Sequence, residues 1–145
     1  MTRIFLDANV YFSGFYSDRG ASYLLMELVE RKKIQVYASR LVLREAERNL
    51  RSKAAPETLK VFHRFLQNTK IHIVFPSDDK RFKTYEELIH PKDFPVLSAA
   101  LTARVEYLVT LDRKHFLTPS LQKIKEFKIL TPGDFLTCVF LKGKC

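Results

Sequence analysis

Arg3-Ile4-Phe5-Leu6-Asp7 is an apolar run closed by an acid, and Tyr107-Leu108-Val109-Thr110-Leu111-Asp112 repeats that form late in the chain. Both read as short buried strands, over residues 3–6 and 107–111. If they are parallel neighbours in one sheet, their carboxyl ends bring Asp7 and Asp112 together, at the edge where ligands of α/β sheets bind. Two further acids belong with them. Asp93 opens a helix-like segment, and Glu45 lies within another. Clustered carboxylates repel one another and stay ionised together mainly around a cation. Four such groups point to a hard divalent metal, and so to phosphate chemistry.

The intervening chain alternates between the two periodicities. A loop carrying Asn9, Ser13 and Gly14 is expected after the first strand. A helix follows over residues 21–32, with Leu24, Leu25, Leu28 and Val29 on one face, and then a strand over 34–38. Ser39 is a suitable N-cap for a helix over 41–51. Pro56 suits the first turn of a third helix, with Leu59, Phe62, His63 and Leu66 at helical spacing. Ile71, Ile73 and Phe75 mark a strand, residues 80–89 a short helix, and Asp93-Phe94-Pro95 the start of one reaching about residue 103. Residues 127–130 form a last strand. Thr131-Pro132-Gly133-Asp134 then caps a final helix. Strand and helix in alternation predict an α/β layer fold with a mostly parallel sheet, and 145 residues suit one domain, 1–145.

Composition narrows the function. Lys and Arg total 25 against 16 acids, a formal charge of +9, which favours polyanions through counterion release. A basic surface around an acidic cluster suits a phosphate backbone held over a metal. No apolar run approaches the ~20 residues of a membrane helix, and no signal-peptide pattern is present, so a cytoplasmic location is expected. Two cysteines, Cys138 and Cys145, are too few for a disulfide framework or a cysteine zinc site. They read as a core thiol and a tail thiol. The nucleophile turn G-x-S-x-G of serine hydrolases is missing, and four glycines, at 14, 20, 133 and 143, leave no phosphate-binding glycine loop. The histidines at 63, 72, 90 and 115 lack the H-x-x-x-H spacing.

Each acid also has an ordinary structural reading. Asp7 could be a turn residue or helix cap, Asp93 an N-cap, and Asp112 a partner of Arg113-Lys114-His115. Val42, Ala46 and Leu50 define the buried face of their helix, and Glu45 and Glu47 lie on its opposite borders. Periodicity does not choose between them. Asn49 follows Glu45 by one turn.

The ordered set of motifs resembles the PIN-domain family of metal-dependent nucleases over nearly the whole chain. Ile4-Phe5-Leu6-Asp7-Ala8-Asn9-Val10 looks like the family's opening strand and first acid. Ser39-Arg40-Leu41-Val42-Leu43-Arg44-Glu45 looks like its serine-started helix, which selects Glu45. Asp93-Phe94-Pro95-Val96-Leu97-Ser98-Ala99-Ala100 resembles the third-acid helix. Leu108-Val109-Thr110-Leu111-Asp112 and Thr131-Pro132-Gly133-Asp134-Phe135-Leu136 resemble the closing segments. The resemblance implies a three-layer α/β/α sandwich and Mg²⁺ or Mn²⁺ held by Asp7, Glu45, Asp93 and Asp112. Asn9 and Thr110 would orient carboxylates, and Arg113 and Lys114 would steady phosphates. It implies hydrolysis of RNA, often as the toxin of a toxin–antitoxin pair, with an antitoxin chain and a homodimer as partners. Many members carry a further acid where this chain has His115, which leaves one ion or two open. Two other classes fit the residues: a catalytically idle module binding RNA or protein, and a phospho-accepting receiver, which would want paired acids after the first strand.

Overall fold

The computed structural model describes residues 1–142. Five strands, β1 (Arg3–Leu6), β2 (Gln35–Ser39), β3 (Ile71–Val74), β4 (Tyr107–Val109) and β5 (Lys128–Leu130), form one sheet. Their order is β3-β2-β1-β4-β5, and every pairing is parallel. Ile4, Phe5 and Leu6 are all fully buried although successive side chains alternate between faces. Such a run requires cover on both sides of the sheet.

That cover follows from chain direction. Helices α1 (Ala8–Tyr16) and α2 (Ala21–Glu30) connect β1 to β2, and α3 (Arg40–Lys53) and α4 (Pro56–Asn68) connect β2 to β3. Helix α1 packs against α2, α3 and α4. The chain then reverses, passing through a 3₁₀ segment (Lys80–Leu88) and α5 (Phe94–Ala103) to reach β4 on the far side of β1. Right-handed crossovers run in opposite directions along a sheet place their helices on opposite faces. Helix α5 accordingly packs on β2 and β3 beside the 3₁₀ segment, and six consecutive residues from Val96 to Leu101 are buried. The result is a three-layer α/β/α sandwich. The reversal lies between β1 and β4, so a crevice opens at the carboxyl ends of these two strands.

Several local expectations hold. Ser39 Oγ accepts from Val42 N at 3.2 Å and caps α3, and Thr131 Oγ1 accepts from Asp134 N at 3.1 Å. Val42, Ala46 and Leu50 are the buried face of α3. Others differ. The segment with Asn9, Ser13 and Gly14 is helix α1 rather than a loop. Its buried side chains include Val10 and Tyr11, and Gly14 is there for proximity: a Cβ would lie 2.6 Å from Met26 Cγ and 3.0 Å from Ser22 O. The buried face of α2 is Ser22, Leu25, Met26 and Val29, whereas Leu24 is half exposed. Residues 80–88 are 3₁₀, and the last helix continues over Phe135–Leu141 with π geometry. Cys138 is disulfide-bonded rather than a free thiol, and Cys145 lies outside the described residues. No helix among the described residues is long and apolar enough to cross a membrane.

Candidate metal centre

Asp7 follows β1 directly, and Thr110 follows β4. Leu6 and Val109 are register partners, so the two residues stand side by side at the carboxyl edge. Asp7 N donates to Val109 O at 3.0 Å. Thr110 is fully buried, and its Oγ1 donates to Asp7 Oδ2 at 2.8 Å. Ala8 N donates to Oδ1 at 2.8 Å, which makes Asp7 the N-cap of α1 as well as a cleft residue. Asn9 Nδ2 donates to Asp7 Oδ2 at 3.2 Å, while Asn9 Oδ1 accepts from Leu111 N at 3.0 Å. Asp112 N donates to Thr110 Oγ1 at 3.1 Å. One small network thus ties the ends of β1 and β4 together and fixes the Asp7 carboxyl. Asn9 and Thr110 both bond to the Asp7 carboxyl.

Burial raises the pKa of Asp7 from 3.8 to about 6. The hydrogen bonds from Thr110 and Ala8 oppose this, and the negative charges of Glu45 and Asp112 add to it. Such a carboxyl lacks a counter-charge among its neighbours.

Asp7, Glu45, Asp93 and Asp112 line one cleft of about 500 Å³, with Asn9, Asn49 and His115. Helix α3 brings Glu45 into it. Glu47, on the other border of that helix, accepts from Arg51 at 2.8 Å and lies 3.4 Å from His63 Nε2. Packing thus brings Glu45, and not Glu47, into the cleft. Asp93 occupies the N-cap position of α5 without a side-chain capping bond, and it lines the cleft. His115 bridges two of the acids: its Nδ1 is 3.0 Å from Asp112 Oδ2 and 3.3 Å from Asp93 Oδ2, and Asp112 Oδ1 also accepts from His115 N at 2.9 Å. One ligand atom each from Asp93, Asp112 and His115 lie within 4.8 Å of one another. Oxygen and imidazole donors in this number suit a divalent cation.

The basic residues are distributed differently from expectation. Arg113 and Lys114 are exposed and do not line the cleft, which instead carries Arg48 and Lys92. Both could have been found from spacing: Arg48 is one turn beyond Glu45, and Lys92 adjoins Asp93. His90 is a further lining residue not singled out in the sequence, and its ring lies 5.8 Å from that of His115.

Comparison with known proteins agrees with this architecture. A chain of VapBC2 from Rickettsia felis, solved bound to a DNA fragment from its promoter, superposes with a TM-score of 0.60. Sequence identity is 18%, over 90% of this chain and 98% of that one. Comparison with curated proteins gives no match. A family model described as PIN domain matches residues 3–114. That span takes in every cleft residue named above except His115, and on it this chain belongs to the PIN-domain family.

Proposed function

We propose that the chain is a divalent-metal-dependent ribonuclease that hydrolyses RNA phosphodiester bonds. The observation that carries the reading is the convergence of four carboxylates from four separate elements on one cleft at the sheet's switch point.

Asp7, Glu45, Asp93 and Asp112 would hold Mg²⁺ or Mn²⁺, directly or through water, with His115 Nδ1 available beside Asp93 and Asp112. The bound ion supplies Lewis-acid polarisation of the scissile phosphate and lowers the pKa of an attacking water. Thr110 Oγ1, Asn9 Nδ2 and Ala8 N hold the Asp7 carboxyl in one orientation and resist its drift as charge accumulates. Arg48 and Lys92 set positive charge at the cleft rim to meet the phosphates flanking the cut. In-line attack would leave a 5′-phosphate and a 3′-hydroxyl. Unpaired RNA is the proposed substrate, since side chains reach bases most readily where they are unstacked. As a toxin of the VapBC type, the chain would have a small antitoxin partner occupying this cleft, and it would act as a homodimer.

The test is cleavage of structured and unstructured RNA with Mn²⁺, with Mg²⁺ and with chelator. Metal-dependent cleavage is expected in wild type and is lost in Asp7→Asn. Thr110→Val, which loosens Asp7 and frees Asp112 N, is expected to lower metal affinity or rate by about 10- to 100-fold. One observation favours a second reading. His115 Nδ1 sits between Asp93 and Asp112, where a cation would also sit, as suits an idle RNA-binding module. RNA binding without cleavage under every metal condition would select that reading.

A further inference from the structure

A second depression, of about 390 Å³, adjoins the acidic cleft. It runs between the start of α3 and the start of α5, and its floor includes Phe75 and Pro76, just past β3. Leu41 lines both depressions and forms the ridge between them. Because the sheet is parallel, β3 ends on the same edge as β1. With β2 between them, the strands lie about 10 Å apart, so Phe75 is within reach of a nucleotide neighbouring one held at Asp7.

The lining has two chemistries. Phe75 is 60% exposed and Leu41 47%, a large apolar surface for residues that nothing in the fold needs to leave open. Against it stand cations without acid partners. The guanidinium of Arg40 lies 5.3 Å from the centroid of the Phe75 ring, and Arg44 lines the same groove one helical turn further on. Neither arginine makes an ion pair among the described residues, and both are exposed. Arg48, in the acidic cleft, continues the i, i+4 series. A ring that accepts stacking, with arginines spaced along a helix beside it, matches single-stranded nucleic acid: bases lie on aromatic or guanidinium planes while cations track the backbone. A peptide with an apolar anchor would fill the groove but would leave Arg40 and Arg44 unanswered.

We propose that this groove is a base-stacking subsite, in which an unpaired nucleotide adjacent to the scissile phosphate lies on Phe75 and Arg40 while Arg44 and Arg48 hold the phosphates leading into the cleft. The subsite rests on the ribonuclease reading only for its register with the cut.

The experiment measures binding of a short single-stranded RNA carrying 2-aminopurine at successive positions, to the full chain in chelator. Quenching of the fluorophore is expected at one position. Phe75→Ala is expected to remove the quench and weaken binding about tenfold, Phe75→Trp to retain both, and Arg40→Gln with Arg44→Gln to flatten the salt dependence. Unchanged quench and affinity in Phe75→Ala would overturn the proposal. Unchanged RNA binding with loss of self-association in sedimentation would overturn it too, assigning the groove to a second copy of the chain. The same variants assayed with Mn²⁺ separate the two readings. Quenching without cleavage by wild type keeps the subsite and removes the nuclease. Cleavage that is lost in Asp7→Asn yet indifferent to Phe75 does the reverse.

Discussion

Asp7 is the residue on which the cleft's electrostatics turn, because it is the most deeply buried of the four acids and faces two like charges. In chelator its carboxyl titrates at about 6 when folded, against 3.8 for the ordinary group. Between those values the folded chain holds a proton that the unfolded chain has released. The folded state therefore binds more protons across this window, and stability falls as pH rises from about 4 to about 6. The full contribution is present below pH 4 and lost above pH 6, an amount of about 3 kcal/mol. Urea titrations in chelator at intervals from pH 4 to 7 are expected to show that slope in wild type and not in Asp7→Asn. Saturating Mn²⁺ is expected to restore the stability lost above pH 6, since a ligand of the folded state alone stabilises it. Equal slopes in the two proteins would refute the electrostatic account. Asp7, Asp93 and Asp112 were legible as candidates because each follows a strand or opens a helix in a local pattern, whereas periodicity did not separate Glu45 from Glu47 and only the family resemblance chose it. The cations were less legible. Arg113 and Lys114 sit beside Asp112 in sequence, but the turn after β4 leaves them outside the cleft, whereas Arg48 and Lys92 carry only their spacing from Glu45 and Asp93 as a signal and are brought there by the packing of α3 and the entry to α5.

Helix α1 shows why an element can be hidden from its own sequence. Asn9, Ser13 and Gly14 are turn-forming residues, and their cluster predicts a loop. Burial of Val10 and Tyr11 against α3 and α4, together with the Asp7 cap, outweighs that local preference. Gly14 then serves the tertiary contact, since any side chain there would meet α2. The strands and α3 lacked this conflict, with propensity, period and cap all agreeing, and they are found within a residue or two of where the sequence places them. Gly14→Ala sets a gain in helix propensity of about 1 kcal/mol against overpacking of about 1–3 kcal/mol. The clash prevails here because one of the two close atoms, Ser22 O, is backbone and the other belongs to Met26, which is itself buried. Gly14→Ala is expected to lower the urea midpoint with an unchanged m-value, while Ser13→Ala on the same helix leaves it unchanged or raises it. A midpoint preserved in Gly14→Ala would show that α1 and α2 can separate freely.

For the molecule as a whole, the +9 charge matters through where it lies. The four cleft acids gather negative charge in one place, so the rest of the surface is more positive than the total suggests. Arg40, Arg44 and Arg48 form a stripe along α3 that leads to those acids, and none of the three has an ion-pair partner among the described residues. Charge spread evenly over a surface mainly keeps a protein soluble. On the proposed function, a stripe ending at a carboxylate cluster would instead place a phosphate chain with one linkage over the acids. The salt dependence of RNA affinity counts the phosphates so held. Three contacts on a single strand, from Arg44, Arg48 and Lys92, give a log–log slope of about −2, or about a twentyfold loss of affinity between 50 and 200 mM salt. Anisotropy titrations of single-stranded RNA in chelator are expected to give that slope. It should shrink to about −0.7, the share of Lys92 alone, when the three α3 arginines become glutamine, and persist when Arg113 and Lys114 are changed instead. The opposite ranking would move the RNA path to the β4 side of the cleft, where the sequence alone had placed it, and would leave the α3 stripe as ordinary solvated charge.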